Sequence, residues 1–204
     1  MPKLESPFVR EMVGNRYLVT DKITEGYEWV FEDDSVMAIE KLHGTNVSIV
    51  VIEGQVAEVY NRTERIPLIN KGKAFITHAL LNSKTRGYLE FLGDGQHFGE
   101  VIGPKVNGNP YKLDEPLWIP FETYCQKHLR YKSWGRYPKD FETISDWFLD
   151  DLLPLFYSMR HKGEPGFVEG VVFTHPETGQ MAKLRRDMFD WYQGQGHKQE
   201  VPIV

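Results

Sequence analysis

Apolar and polar residues alternate along this chain in short blocks, and each block is long enough for one element. Val36–Glu40 reads as a strand, and Val47–Ile52, rich in β-branched residues, as another. Glu53-Gly54-Gln55 supplies a hairpin turn into a third strand, Val56–Tyr60. Together they predict an antiparallel meander, with Lys41–Asn46 connecting its first two strands. Ala74, Phe75, Ala79, Leu80 and Leu81 recur at helical spacing, which predicts a helix over Lys73–Asn82, with Tyr88–Leu92 as a second. Strands follow at Phe98–Ile102 and Leu117–Tyr124, separated by the Gly/Pro/Asn-rich loop Gly103–Pro110. Helical patterns return at Ile144–Leu149 and Leu152–Met159. A last hairpin joins Phe167–Thr174 to Gln180–Arg185 through Pro176-Glu177-Thr178-Gly179. The first thirty residues predict turns at Gly14 and Gly26 and no regular element. Gly194–Glu200 reads as a loose, polar tail. Strands outnumber helices, and short turns join them without regular βαβ alternation. The expected class is α+β, with antiparallel sheets flanked by helices.

Composition narrows the picture. The chain has 204 residues, 41% hydrophobic and 13% aromatic, so it can bury a core. That length predicts a single domain over 1–204, with 194–204 as its loose tail. The net charge of −5 excludes a general basic coat for nucleic acid but leaves room for a local basic groove. Cys125 is the only cysteine, so an internal disulfide and a cysteine zinc cage are both excluded. Neither a signal-peptide pattern nor a membrane-length apolar run is present, and the expected location is cytoplasmic. The chain also lacks a P-loop, a dinucleotide-binding glycine pattern, H-E-x-x-H, G-x-S-x-G and C-x-x-C.

The most informative segment is Glu40-Lys41-Leu42-His43-Gly44-Thr45-Asn46. A lysine closes an apolar strand, and Gly44 follows where the backbone must turn or approach a ligand closely. Backbone N–H groups in such a turn can hold an anion. A lysine fixed there could attack phosphorus once neighbouring cations and a metal lower its proton affinity. Taken alone, the segment reads more readily as a surface lysine in a hairpin turn.

The remaining motifs decide between these readings. Lys41-Leu42-His43-Gly44-Thr45-Asn46 resembles the K-x-D-G nucleotidyltransferase motif of covalent ligases and capping enzymes, in the His-Gly-Thr-Asn form of the RNA ligase 2 family. Further segments resemble the later motifs in the family's order: Asn61-Arg62-Thr63, Phe98-Gly99-Glu100, Pro120-Phe121-Glu122, Glu169-Gly170-Val171-Val172 and Lys183-Leu184-Arg185. The resemblance covers the nucleotidyltransferase domain and implies an ATP-dependent RNA ligase. Lys41 would take AMP from ATP, pass it to an RNA 5′-phosphate, and a 3′-OH would then displace it to seal the strand.

The same resemblance implies roles for individual residues. Glu40 would sit beside the adenine edge and Phe121 would stack on the base. Glu100 would meet the ribose hydroxyls or a metal, and Glu169 would hold Mg²⁺ or Mn²⁺. Lys183 and Arg185, two apart on a strand, would face one side and neutralise the α-phosphate. Arg62 would contact the nucleotide or the RNA end. His43 would be an orienting or metal-linked group, with Gly44 and Asn46 completing the nucleotide-binding loop.

Two departures qualify the match. Arg185 stands where the family usually has lysine, which keeps the charge but changes its geometry. Only 19 residues follow Arg185, too few for the OB-fold or helical domain that relatives carry there. The expectation is a chain that binds RNA with this domain, dimerises or uses a partner. The cluster His128, Arg130, Lys132, Arg136, interleaved with Tyr131 and Trp134, could supply phosphate contacts and stacking, and reads equally well as a solvated surface. Two alternatives stay open: the same chemistry with DNA or another acceptor, and a nucleotide-binding relative without turnover.

Overall fold

The computed structural model describes residues 3–67 and 71–194. In chain order the elements are β1 (Phe8–Val13), β2 (Arg16–Ile23), α1 (Trp29–Glu32), β3 (Met37–Lys41), β4 (Thr45–Ile52), β5 (Gln55–Asn61), β6 (Glu64–Arg65) and α2 (Ala74–Thr85). They continue with β7 (Gly95–Ile102), β8 (Leu117–Pro120), α3 (Gln126–His128), α4 (Phe141–Asp146), α5 (Leu155–Ser158), β9 (Gly170–Thr174) and β10 (Met181–Arg185). Every strand pairing between these elements is antiparallel, and the expected α+β class holds. The described residues form two compact units, one spanning 42–128 and the other 3–41 with 129–194.

The first unit is a five-stranded sheet in the order β6-β5-β4-β7-β8. The β-branched run of β4 sits in its middle, and Val47, Ile49 and Val51 point into one core with Val59, Val101 and Trp118. α2 closes that core with Ile76, Ala79 and Leu80, which share one helical face. Ser83, one turn further on, accepts the Trp118 backbone N–H at 2.8 Å and ties the helix to β8. Gly99 is a point of close approach between β7 and β8. A Cβ there would come within 2.7 Å of Trp118 Nε1, whose indole N–H donates to the Val47 carbonyl at 2.9 Å.

The second unit holds a three-stranded sheet in the order β10-β9-β3 and a separate β1-β2 hairpin. Strand alternation gives this small sheet two different faces. Ala38, Val171, Phe173, Ala182 and Leu184 are fully buried on one face, in a core with Val30, Phe148 and Phe189. The outer edge of β10 is partly covered, because the Lys183 N–H donates to the Glu5 carbonyl at 2.9 Å.

The structure corrects several expectations. β3 and β4 lie in different sheets, so they do not form a meander through Lys41–Asn46. β8 stops at Pro120, which has no N–H to extend a ladder, and a π-helical turn over Phe121–Cys125 replaces the expected strand to Tyr124. Tyr88–Leu92 forms turns rather than a helix, after Gly87 at φ +78°. The helix expected over Leu152–Met159 shrinks to Leu155–Ser158 because Pro154 precedes it. The hairpin of β1 and β2 was not expected, although Gly14 does turn it at φ +62°. The tail expected to be loose lies, from residue 195 onward, outside the described residues. Among the described residues, no helix is long and apolar enough to cross a membrane.

Replacing Gly99 by alanine should overpack the β7–β8 contact and lower stability by roughly 1–3 kcal/mol. Urea unfolding of the Gly99→Ala variant measures this, and an unchanged midpoint would contradict the packing described.

Candidate active site

Register gathers several of the candidate residues on the second unit's small sheet. Lys41 pairs with Gly170, and Gly170 pairs with Arg185, so the three form one row across β3, β9 and β10. Residues in one row share a face, and Lys183, two residues before Arg185, shares it too. Glu169 immediately precedes β9. Its Oε2 accepts from Lys41 Nζ at 2.6 Å, and its Oε1 lies 4.0 Å from Arg185 Nη1. The Lys41 and Glu169 side chains are 21% and 12% exposed, which reduces solvent screening without closing the pair off. Arg185 Nε also stands 3.1 Å from Asp187 Oδ1. Partial burial, followed by the charges of Arg185, Lys41 and Lys3, holds Lys183 below the usual lysine range, while Glu5 pushes the other way.

Gly170 is required at the centre of this row. A Cβ there would collide with the Leu184 carbonyl oxygen and approach the Arg185 Cα to 2.7 Å. The glycine of the Glu-Gly pair therefore lets β9 and β10 come together between the two basic residues.

Glu40 sits elsewhere. It precedes Lys41 by one, so its side chain projects from the opposite face, among the buried residues. Its Oε2 accepts the Phe156 backbone N–H at 2.7 Å, and its Oε1 is buried without a hydrogen-bond partner. Burial is the dominant cause that pushes its pKa up to about 8, against a lowering by the Phe156 and Leu155 backbone N–H groups. The Glu40 carboxyl links β3 to α5, a connection that no motif signalled.

The first unit carries the other candidates. Asn46 on β4 pairs with Glu100 on β7, so these two side chains share a face. Both polar atoms of the Asn46 carboxamide are buried without a hydrogen-bond partner. Gly44 packs tightly, since a Cβ would meet the Val101 carbonyl oxygen and reach 2.8 Å from Glu100 Cγ. The His43 backbone N–H donates to the Tyr111 hydroxyl at 2.7 Å, and Asn107 Nδ2 donates to the Gly44 carbonyl at 2.8 Å. Sequence reading missed Tyr111 and Asn107, whose loop holds Asn107 and Asn109 at φ +44° and +49°. The Asn and Gly content of Gly103–Pro110 was the available signal. Arg62 is exposed in the turn after β5, at φ +56°, rather than on the strand, and its N–H donates to the Asn46 carbonyl at 3.4 Å. Phe121, half-buried, opens the π-helical turn after β8.

The His128–Arg136 cluster divides by residue. Tyr131 is buried in the second unit's core, 5.4 Å from Trp147, and Trp134 packs half-buried against it, 4.7 Å from Phe173. Arg130, Lys132 and Arg136 stay exposed. Among the described residues, no three His, Cys, Asp or Glu side chains are grouped to hold a metal. Glu169 offers a carboxylate of the kind Mg²⁺ uses when phosphates and water complete its shell. The donor set fits a cation that arrives with a nucleotide, not a protein-caged one.

Comparison with known proteins gives the class. The family model for RNA ligase matches residues 34–187, and the chain belongs to that family. A variant of the Naegleria gruberi RNA ligase with ATP and Mn aligns at TM-score 0.53 and 16% identity, covering 89% of this chain and 59% of that one. The same ligase with PPi aligns at 0.53 and 15%, with the same coverages. A further variant with ATP and Mn gives 0.52 and 16%, covering 91% and 59%. The fold is that of RNA ligases, and the chain spans about three fifths of the length of these structures. No match was found among curated proteins.

The Glu40 carboxyl sets a pH dependence. Its folded pKa of about 8 lies above the unfolded value, so its contribution is fully present below about pH 4.5 and is lost as pH rises toward 8. Glu40→Gln should therefore gain in Tm relative to the native chain as pH rises from 5 to 8. A Tm difference that stays flat across that window would refute the buried acid.

Proposed function

We propose that the chain performs the nucleotidyl transfer of an ATP-dependent RNA ligase, with Lys41 as nucleophile. The observation that carries this reading is the row Lys41–Gly170–Arg185, with Glu169 against Lys41 and Lys183 on the same face. Lys41 Nζ attacks the α-phosphorus of ATP. The N–P bond forms, the bond to the bridging oxygen breaks, and pyrophosphate leaves. Nζ must first give up a proton, and Glu169 Oε2 at 2.6 Å is placed to receive it. Lys183 and Arg185 neutralise charge on the departing phosphates.

A divalent cation bound with the nucleotide would be held by Glu169 and would supply further neutralisation of the phosphates. The ATP, Mn and PPi in the Naegleria ligase structures support a nucleotide and a divalent cation here. AMP then passes from Lys41 to an RNA 5′-phosphate, and a 3′-OH displaces it to form the phosphodiester.

The resemblance assigns further nucleotide contacts to His43, Gly44, Asn46, Arg62, Glu100 and Phe121. Asn46 has the most direct support, because a buried carboxamide with both atoms unpaired is costly until a ligand satisfies it. Glu40 takes a positioning role instead of an adenine contact, holding β3 behind Lys41. The family match runs through both units in sequence, which supports reading residues 1–204 as one nucleotidyltransferase domain.

Incubation with ATP labelled at the α-phosphate, followed by denaturing electrophoresis, should give a labelled band. That band should fall at least 100-fold in Lys41→Ala. No adduct at any pH or divalent cation would sink the proposal and favour a nucleotide-binding relative. With adduct formed, 5′-phosphorylated RNA should discharge it faster than the matching DNA. The reverse order would assign a DNA acceptor.

A second variant probes the neighbouring cations. Lys183→Ala should slow adduct formation about 10–1,000-fold without abolishing nucleotide binding, as expected for a charge felt mainly in the transition state. Loss of ATP binding with an unchanged rate at saturation would contradict that role.

A further inference from the structure

The β1-β2 hairpin precedes the residues that the RNA ligase family model matches. Within its own unit it lines an open cavity of about 560 Å³, shared with the end of β10 and the segment beyond. Arg10, Arg16 and Tyr17 come from the hairpin, and Arg185, Asp187 and Tyr192 from the other side. Three guanidinium groups and the Asp187 carboxylate line it, with Glu5 paired to Arg10, so arginines still outnumber these carboxylates in a chain whose net charge is −5.

The walls are fixed to each other. Arg16 Nη2 donates to the carbonyls of Asp187 at 3.0 Å and Phe189 at 2.9 Å. These bonds hold the hairpin on the segment after β10. Arg10 is differently placed, because its partner Glu5 is 3.1 Å away and both side chains are partly exposed. Such a pair contributes little stability, so Arg10 can exchange a carboxylate for a phosphate at small cost. Tyr17 is 58% exposed and leaves its ring open to a flat ligand.

Arginines beside an exposed ring, Tyr17, and a half-buried one, Tyr192, suit a nucleic-acid strand, whose phosphates meet guanidinium groups while its bases stack. The phosphates of free ATP would use the arginines but leave the rings unexplained. Arg185 connects this cavity to the candidate active site, since it shares a row with Lys41 two strand spacings away, about 10 Å.

We propose that this cavity binds single-stranded RNA next to the reacting end, with Arg10, Arg16 and Arg185 on backbone phosphates and Tyr17 and Tyr192 against bases. The proposal rests on the RNA ligase reading above.

The test measures fluorescence anisotropy of a 5′-phosphorylated, 3′-labelled single-stranded RNA over a range of salt. Arg10→Ala/Tyr17→Ala should bind about tenfold more weakly than the native chain, with a salt slope shallower by about 0.7 for the lost phosphate contact. If that variant unfolds, Arg10→Gln/Tyr17→Leu keeps more of the packing and should show the same losses. Equal affinity and slope for variant and native chain would overturn the proposal, as would native chain that fails to bind the RNA. A variant that needs more ATP for half-maximal adduct but binds RNA normally would assign the cavity to the nucleotide's phosphates and also overturn it. Failure of the ligase reading is separate: the native chain would then form no adduct with ATP alone.

Discussion

A partly buried ion pair between Lys41 Nζ and Glu169 Oε2, 2.6 Å long, is the interaction around which the candidate site is organised. An ion pair out of full solvent is weak evidence for stability, because desolvation of both charges opposes their attraction. This one is better understood as a position. It fixes the end of a flexible lysine stem against the strand that follows Glu169, and it brings Arg185 within 4.0 Å of the same carboxylate. Removing Glu169 would leave the Lys41 charge beside further basic groups, Lys183 among them.

The pair depends in turn on the alternation of a very small sheet. With three short strands, each residue has one face and no slack. Lys41, Lys183 and Arg185 fall on one face of that sheet, and Ala38, Val171, Phe173, Ala182 and Leu184 on the other. A one-residue slip in β3 would exchange Lys41 for Glu40. Glu40, buried and bound by the Phe156 N–H, resists such a slip because its partner lies only on the core side. The same arrangement explains why a carboxyl group sits inside an apolar layer. It is held there largely in its neutral form, where burial costs least.

Much of the site was legible in the sequence because the chemistry-bearing residues sit in short local patterns. The Lys41–Asn46 segment, Glu169-Gly170 and the Lys183/Arg185 spacing each state their arrangement within a few residues. β4 was legible because its β-branched run fits a buried central strand. What was not legible depends on distant parts of the chain. Nothing near Lys41 says that β3 pairs with β9 rather than β4, because that choice is made by residues more than 120 positions away. Glu40 looked like a ligand residue because its burial is created by α5. Tyr88–Leu92 has helical apolar spacing, but the positive-φ Gly87 had already ended α2. The hairpin at Phe8–Ile23 was missed because its polar and apolar residues do not alternate cleanly and most of it stays exposed.

The central claim is that Lys41, rather than another basic residue on its sheet face, carries the covalent intermediate. Peptide mapping by mass spectrometry after incubation with ATP and a divalent cation tests it most directly. The account predicts AMP on the peptide containing Lys41 and nowhere else. AMP attached to Lys183, or to any residue outside that peptide, would contradict it.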